Sequence, residues 1–192
     1  MTVIARSAAT RQSSLNRESG LPRFARNDAE GLAAHPPLTK AGSMDFDTPY
    51  RGGFAGPEHR FALTVYFEDT DTFGVVYYAN YLKYMERARS DMLRAAEVDQ
   101  AAELRASGSA YAVAEVTLRY LKSARLGDDL VVISTIDDIR AASVHIHQRV
   151  MRGAELLTDG RVIAAFLTAE GRPQRQPQDW VERFRAIGRQ GE

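Results

Sequence analysis

The sequence predicts an α+β domain, with one long helix lying against a mostly antiparallel sheet of about five strands. Three observations carry that expectation. A short alternating segment near residue 61 has the period of a strand. The period then lengthens to 3–4 residues over about twenty positions. Four further strand-like segments follow, separated by turn chemistry.

The first segment is residues 61–67, Phe-Ala-Leu-Thr-Val-Tyr-Phe, rich in β-branched and aromatic residues. Residues 68–74 are polar and predict a loop. From Tyr78 to Glu97, Leu82, Met85, Ala88, Met92 and Ala96 recur on one helical face, with Tyr81 and Leu93 beside them. Arg87 and Asp91 stand at i,i+4, so charge is expected off that apolar stripe. A loop ends near Gly108. The four strands are expected at 110–123, 130–139, 143–151 and 161–169. The turns between them are read at Gly127-Asp128-Asp129, Arg140-Ala141-Ala142 and Asp159-Gly160, the last alternatively a hairpin within a longer strand pair. Gly171 and Pro173 end the sheet. Residues 178–187 predict a short amphipathic helix anchored by Trp180, Phe184 and Ile187. One helix covers one face of a sheet, so the other face is expected to find a partner in a homo-oligomer.

The domain is expected over residues 58–187. Residues 1–57 lack sustained periodicity and are rich in Arg, Ser, Ala, Gly and Pro, with Pro36-Pro37 and Gly52-Gly53. Such a segment buries too little apolar surface to offset its ordering entropy. Three readings compete for it: a flexible tail, an Arg- and Ser-rich transit peptide, and an overextended start with Met44 as the true first residue. Glu18, Asp28 and Glu30 weigh against the transit peptide.

Composition narrows the function classes. The chain of 192 residues is 44% hydrophobic and 26% charged, as expected of a globular protein. No stretch approaches the roughly 20 apolar residues of a membrane span. The absence of cysteine removes disulfides, Cys-ligated zinc and a Cys nucleophile together. Of 25 basic and 25 acidic residues, six and three fall within residues 1–43. The remaining 19 basic and 22 acidic groups make a slightly acidic domain, contrary to the basic footprint of nucleic-acid binding. His145 and His147 share one face of a strand, but no third ligand is evident and no metal is expected. Neither a Gly-x-Ser-x-Gly elbow nor a phosphate-binding Gly loop is present.

The chemistry concentrates in Glu68-Asp69-Thr70-Asp71-Thr72-Phe73-Gly74-Val75-Val76-Tyr77-Tyr78-Ala79-Asn80-Tyr81. Acidic residues before a helix are commonly caps. A second reading uses more of the stretch. Free amides at a helix start stabilise negative charge developing on a carbonyl oxygen, while a nearby carboxylate acts on the carbonyl carbon or on water. Gly74 permits close backbone approach, and Tyr77, Tyr78 and Tyr81 supply apolar walls with polar tips. That combination suits hydrolysis of an ester or thioester.

The run Val65-Tyr66-Phe67-Glu68-Asp69-Thr70-Asp71, with Gly74-Val75-Val76-Tyr77, Ala79-Asn80-Tyr81 and Glu86-Arg87-Ala88-Arg89, resembles the 4-hydroxybenzoyl-CoA thioesterase branch of the hotdog fold. Within that branch it is most similar to the Tol-Pal-associated acyl-CoA thioesterases. Residues 120–128, 140–143 and Gly171-Arg172-Pro173 agree in order and spacing. The resemblance implies a central helix wrapped by the sheet, and a dimer or tetramer. It implies hydrolysis of acyl-CoA with no cofactor, coenzyme A being part of the substrate. Asp71 matches the catalytic aspartate, as nucleophile or as general base, and Tyr78 supplies the carbonyl-polarising amide. Phe73, Gly74, Val76, Tyr77 and Asn80 fall at substrate-binding positions, and Arg125 and Arg140, from the same or a neighbouring protomer, are candidates for the coenzyme A phosphates. Many members of the branch carry His at the Tyr78 position and Tyr at the Phe67 position. The resemblance further implies a cytoplasmic location at the inner membrane. An alternative is a binding or scaffold subunit that engages acyl carrier protein or lipid-synthesis enzymes.

Overall fold

A computed structural model describes residues 48–188. The strands are β1 (Gly53–Ala55), β2 (Glu58–Thr64), β3 (Ala110–Tyr120), β4 (Asp129–Ile139), β5 (Ser143–Arg152) and β6 (Glu155–Leu167). The helices are α1 (Asn80–Ala95), α2 (Gln100–Ser107) and α3 (Gln178–Gly188). All six strands form one antiparallel sheet in the order β1-β2-β4-β5-β6-β3.

Helix α1 packs on one sheet face because its apolar residues recur every three to four positions. Tyr81, Tyr84, Met85, Ala88 and Met92 are all buried. Met85 sinks fully among strand residues such as Leu130, Val132, Val150 and Val162. A second cluster joins Met92 to Val144, Ile146, Phe166, Trp180 and Phe184, which fastens α3 on the same side.

Several sequence expectations are corrected here. Asp159-Gly160 is not a turn: it lies inside β6, and the hairpin comes earlier, at Gly153-Ala154. Gly160 answers to packing instead. A Cβ there would lie 2.8 Å from Met85 Cε and 2.9 Å from Leu118 Cδ1, so the missing side chain is what admits the helix. The loop before Gly108 contains α2, which buries no residue and so shows no apolar period. Its signals are at the ends: Asp99 accepts a hydrogen bond from the Ala102 amide, and Gly108 closes the helix at φ 73°.

The domain also begins earlier than residue 58. Gly53–Ala55 pairs with β2 as an edge strand, too short to show periodicity. Its anchor is Asp91, expected with Arg87 off the apolar stripe but in fact buried. Asp91 Oδ2 accepts from the Gly52 amide at 2.9 Å and meets His59 Nε2 at 3.0 Å, while Asp91 Oδ1 pairs with Arg94. The readings for residues 1–47 lie outside the described residues.

The uncovered sheet face mixes apolar and charged residues. Its long side chains pair among themselves: Arg149 with Glu58 at 2.7 Å, His147 with Asp159, and Arg161 with Asp137. The outer edge of β3 is open among the described residues, and Val113, Val116 and Tyr120 on it are exposed by 49%, 39% and 47%. Among the described residues, no helix is long and apolar enough to cross a membrane.

Burial, reinforced by the Arg94 charge, pushes the His59 pKa down to about 4 from 6.5. The unfolded chain therefore binds the extra proton between these pH values. Stability is full above about pH 6.5 and falls as pH drops through that window, by up to about 3 kcal/mol. Urea unfolding at pH 7 and pH 4.5 measures the loss, which His59→Gln reduces. An unchanged slope in that variant assigns the pH dependence elsewhere.

Candidate active site

The loop between β2 and α1 is a small pinned hairpin. One 3-10 turn, Phe67–Asp69, leads into an antiparallel bridge between Thr70 and Val76. The Asp71 amide donates to Val75 O at 2.9 Å, and the Gly74 amide donates to Asp71 O at 3.0 Å. Gly74 takes φ 71°, a left-handed conformation that costs glycine little. The far side is tied to the β3–β4 connection by the Val76 amide donating to Ala124 O at 2.9 Å, and by the Val75–Arg125 bridge.

The three carboxylates have separate roles, and none caps α1. The N-cap is Ala79, with no side-chain cap and no acidic residue in the first turn. Glu68 is exposed. Asp69 organises the loop. Its Oδ2 accepts from the Tyr66 amide at 2.9 Å, and its backbone oxygen accepts from the Tyr77 amide and from Asn80 Nδ2, both at 2.9 Å. Asp71 is partly exposed. Its Oδ1 accepts from the Phe73 amide at 2.8 Å, which fixes the carboxylate while Oδ2 stays available.

The helix starts at Asn80, two residues later than expected. Tyr78 therefore lies in the turn that enters α1. Among the described residues its N–H has no acceptor, and its carbonyl accepts from the Tyr120 hydroxyl at 3.1 Å. Its ring is 60% exposed and stands edge-on to Tyr120, with centroids 6.3 Å apart. A hydrogen bond with the Tyr78 hydroxyl, then the proximity of that group, raises the Tyr77 pKa.

The other expected contact residues divide. Phe73, Gly74 and Tyr77 are exposed around the loop, Phe73 by 86%. Val76 and Asn80 point inward: Val76 belongs to the core and Asn80 is bound beneath the loop to Asp69. They shape the site from behind rather than lining it. Arg125 is exposed beside Val75. Arg140 follows the far end of β4, whose eleven residues span about 35 Å, and it pairs with Asp138 at 2.9 Å. Within one chain it cannot serve the same ligand as Asp71. Sequence reasoning assigned no role to Tyr120, Asp69 or Tyr84. Tyr84 is buried beneath the loop, and its pKa is raised by burial and then by the Asp69 charge.

A family model described as the thioesterase-like superfamily matches residues 65–184, which spans the whole site and most of the sheet. The chain belongs to this superfamily. Its relatives include the acyl-CoA thioester hydrolase YbgC of Escherichia coli O6:H1, 35% identical over 128 residues, or 66% of this chain and 95% of that protein. The acyl-CoA thioesterase YbgC of Haemophilus influenzae is 36% identical over 105 residues, 55% of this chain and 77% of its own length. Among solved structures, a probable thioesterase from Bartonella henselae superposes with a TM-score of 0.58 at 29% identity, covering 62% of this chain and 99% of that one. A thioesterase from Thermus thermophilus, solved with coenzyme A and zinc, gives 0.59 at 28% identity, covering 70% and 97%. The fold is the hotdog, and this enzyme is a thioesterase.

The Asn80 clamp gives this thioesterase a testable weak point. Asn80→Ala leaves the part-buried Asp69 carbonyl with the Tyr77 amide alone and is expected to cost about 0.5–1.5 kcal/mol. It should also lower turnover, because the loop carrying Asp71 loosens. Urea unfolding and a thiol-release assay on the same preparation check both effects.

Proposed function

We propose that this thioesterase hydrolyses acyl-CoA, adding water to the thioester and releasing a free acid and coenzyme A. One observation carries the reading: Asp71 is held through one oxygen only, in the loop that leads to a Tyr78 amide without an acceptor at the positive end of α1. A thioester carbonyl oxygen bound at that amide would develop its negative charge against an N–H and the helix dipole. Asp71 then takes a proton from the water that attacks the carbonyl carbon, or attacks that carbon itself to form an acyl-aspartyl anhydride, which water afterwards hydrolyses to the free acid and the regenerated carboxylate. The leaving sulfur departs as the thiolate of coenzyme A and is protonated by solvent. The carbonyl is polarised by an amide, so the reaction in this reading requires no metal or redox cofactor. The names of the relatives from E. coli and H. influenzae support acyl-CoA as the substrate class.

The Tyr78 side chain has a supporting part. It can donate a hydrogen bond, and it rests on Tyr120, so the aromatic wall is continuous from the loop to the edge strand. Arg125 is the cation beside the loop for a phosphate of coenzyme A.

The open edge of β3 supports a homodimer in which β3 pairs with its copy in a second chain. Eleven residues of strand with exposed valines make an incomplete sheet edge. Tyr120 lies at the end of that edge and reaches Tyr78, so the dimer seam would run beside the site.

Asp71→Asn should lower turnover of acyl-CoA by roughly 100- to 10,000-fold with an unchanged melting temperature; activity near that of the unaltered enzyme rejects the assignment. Val116→Lys, which places a charge on the exposed edge, should shift the chain from dimer to monomer in light scattering at micromolar concentration.

A further inference from the structure

We propose that a cavity at the C-terminal half of α1 is a binding site for a small organic acid, its carboxylate on Arg89 and its apolar stem inside. The cavity has a volume of about 130 Å³. Its walls are mostly apolar, formed by Met92 of α1, Val144, Ile146 and Ala164 of the sheet, and Phe184 of α3. An enclosed cavity of similar size with aliphatic and aromatic walls, about 150 Å³, takes up benzene, whereas this one is half open to solvent. The space therefore suits one aromatic ring or a short alkyl chain.

The polar end of the cavity is built. Gln148 is fully buried, and its Nε2 donates to Met85 O at 3.0 Å and to Ser134 Oγ at 2.9 Å. That leaves Gln148 Oε1 turned toward Arg89, whose Nη1 donates to it at 2.8 Å. A guanidinium carries five N–H donors. Among the described residues Arg89 has this single neutral acceptor and no ion pair. Burial lowers its pKa, so the charge is partly desolvated. The nearest acid, Glu86, raises that pKa, and its Oε1 already accepts from Ser90 Oγ at 2.7 Å at the mouth. A desolvated arginine with spare donors, facing an apolar space, is complementary to a planar carboxylate on an apolar stem.

Two sources supply that chemistry. One is a free short-chain or aromatic acid. The other is the far end of a substrate whose acyl chain carries a second carboxylate. Nine residues of α1, about 13.5 Å, separate Asn80 from Arg89. Leu82, Glu86 and Ser90 lie at i,i+4 spacing along one exposed helix stripe that runs from beside Asn80 to just past Arg89. The second source rests on the acyl-CoA reading above, and the first does not.

Titration calorimetry with hexanoate, benzoate and uncharged hexanol tests the site. The acids should bind at least about tenfold more tightly than hexanol, the value of a charge-assisted hydrogen bond. Arg89→Met should abolish that preference, and Glu86→Gln should strengthen it. Ser90→Trp, a change at an exposed position on the mouth, should block all three ligands. If Arg89→Met does not fold, Ser90→Trp decides alone. Hexanoate binding no tighter than hexanol, or binding unaffected by Ser90→Trp, overturns the proposal. Hydrolysis of hexanoyl-CoA and of the mono-CoA thioester of hexanedioic acid then separates the sources. A fall in kcat/KM in Arg89→Met confined to the dicarboxylic substrate assigns the site to the substrate's far end; equal effects assign it to a free acid. Absence of hydrolysis in the unaltered enzyme rejects the acyl-CoA reading and leaves the calorimetric result standing.

Discussion

The domain depends on burying one face of a single helix against a sheet. Tyr84, Met85 and Met92 are each 1% exposed or less, and burying a side chain of this size contributes about 1.5–3 kcal/mol. The helix approaches closely because β6 presents Gly160 where a side chain would collide with Met85 and Leu118. That packing fixes where α1 begins, and the start of α1 fixes where the loop from β2 must end. The position of the site follows from the packing of the core.

Electrostatics refine what packing places. Three acids within four residues, next to a helix start, invite one explanation for all of them, yet they divide by environment. Glu68 faces solvent. Asp69 turns inward, gathers two amides and the Asn80 side chain, and presses its charge on Tyr84. Asp71 is held through one oxygen and stays partly exposed. Each of these two carboxylates accepts one backbone amide, and what separates them is the Asp69 backbone carbonyl, which ties Tyr77 and Asn80 to the loop. Environment likewise separates Asp91, which joins β1, β2 and α1 from the interior, from the exposed acids of the outer sheet face.

Much of this was legible in the sequence. The strand, long helix and terminal amphipathic helix follow from hydrophobic period alone, and the run from Val65 to Arg89 pointed to Asp71 and the Tyr78 amide. The failures have physical causes. Asp159-Gly160 has turn chemistry, but a glycine serves a turn and a close approach equally well. Helix α2 has no buried face, and β1 is three residues long, so neither has a period to detect.

Sequence by itself determined the fold class, the family and the segment that carries the candidate site, because period and motif spacing are local properties of the chain. Only tertiary structure decided which of three neighbouring acids is available, that Val76 and Asn80 support the site from behind, and that Tyr120 joins it from a strand position 42 residues beyond Tyr78. It also decided that Arg89 meets Gln148 beside an apolar cavity. These are matters of what lies beside what after folding. Burial and hydrogen-bond partners are set by distant residues that no local pattern encodes.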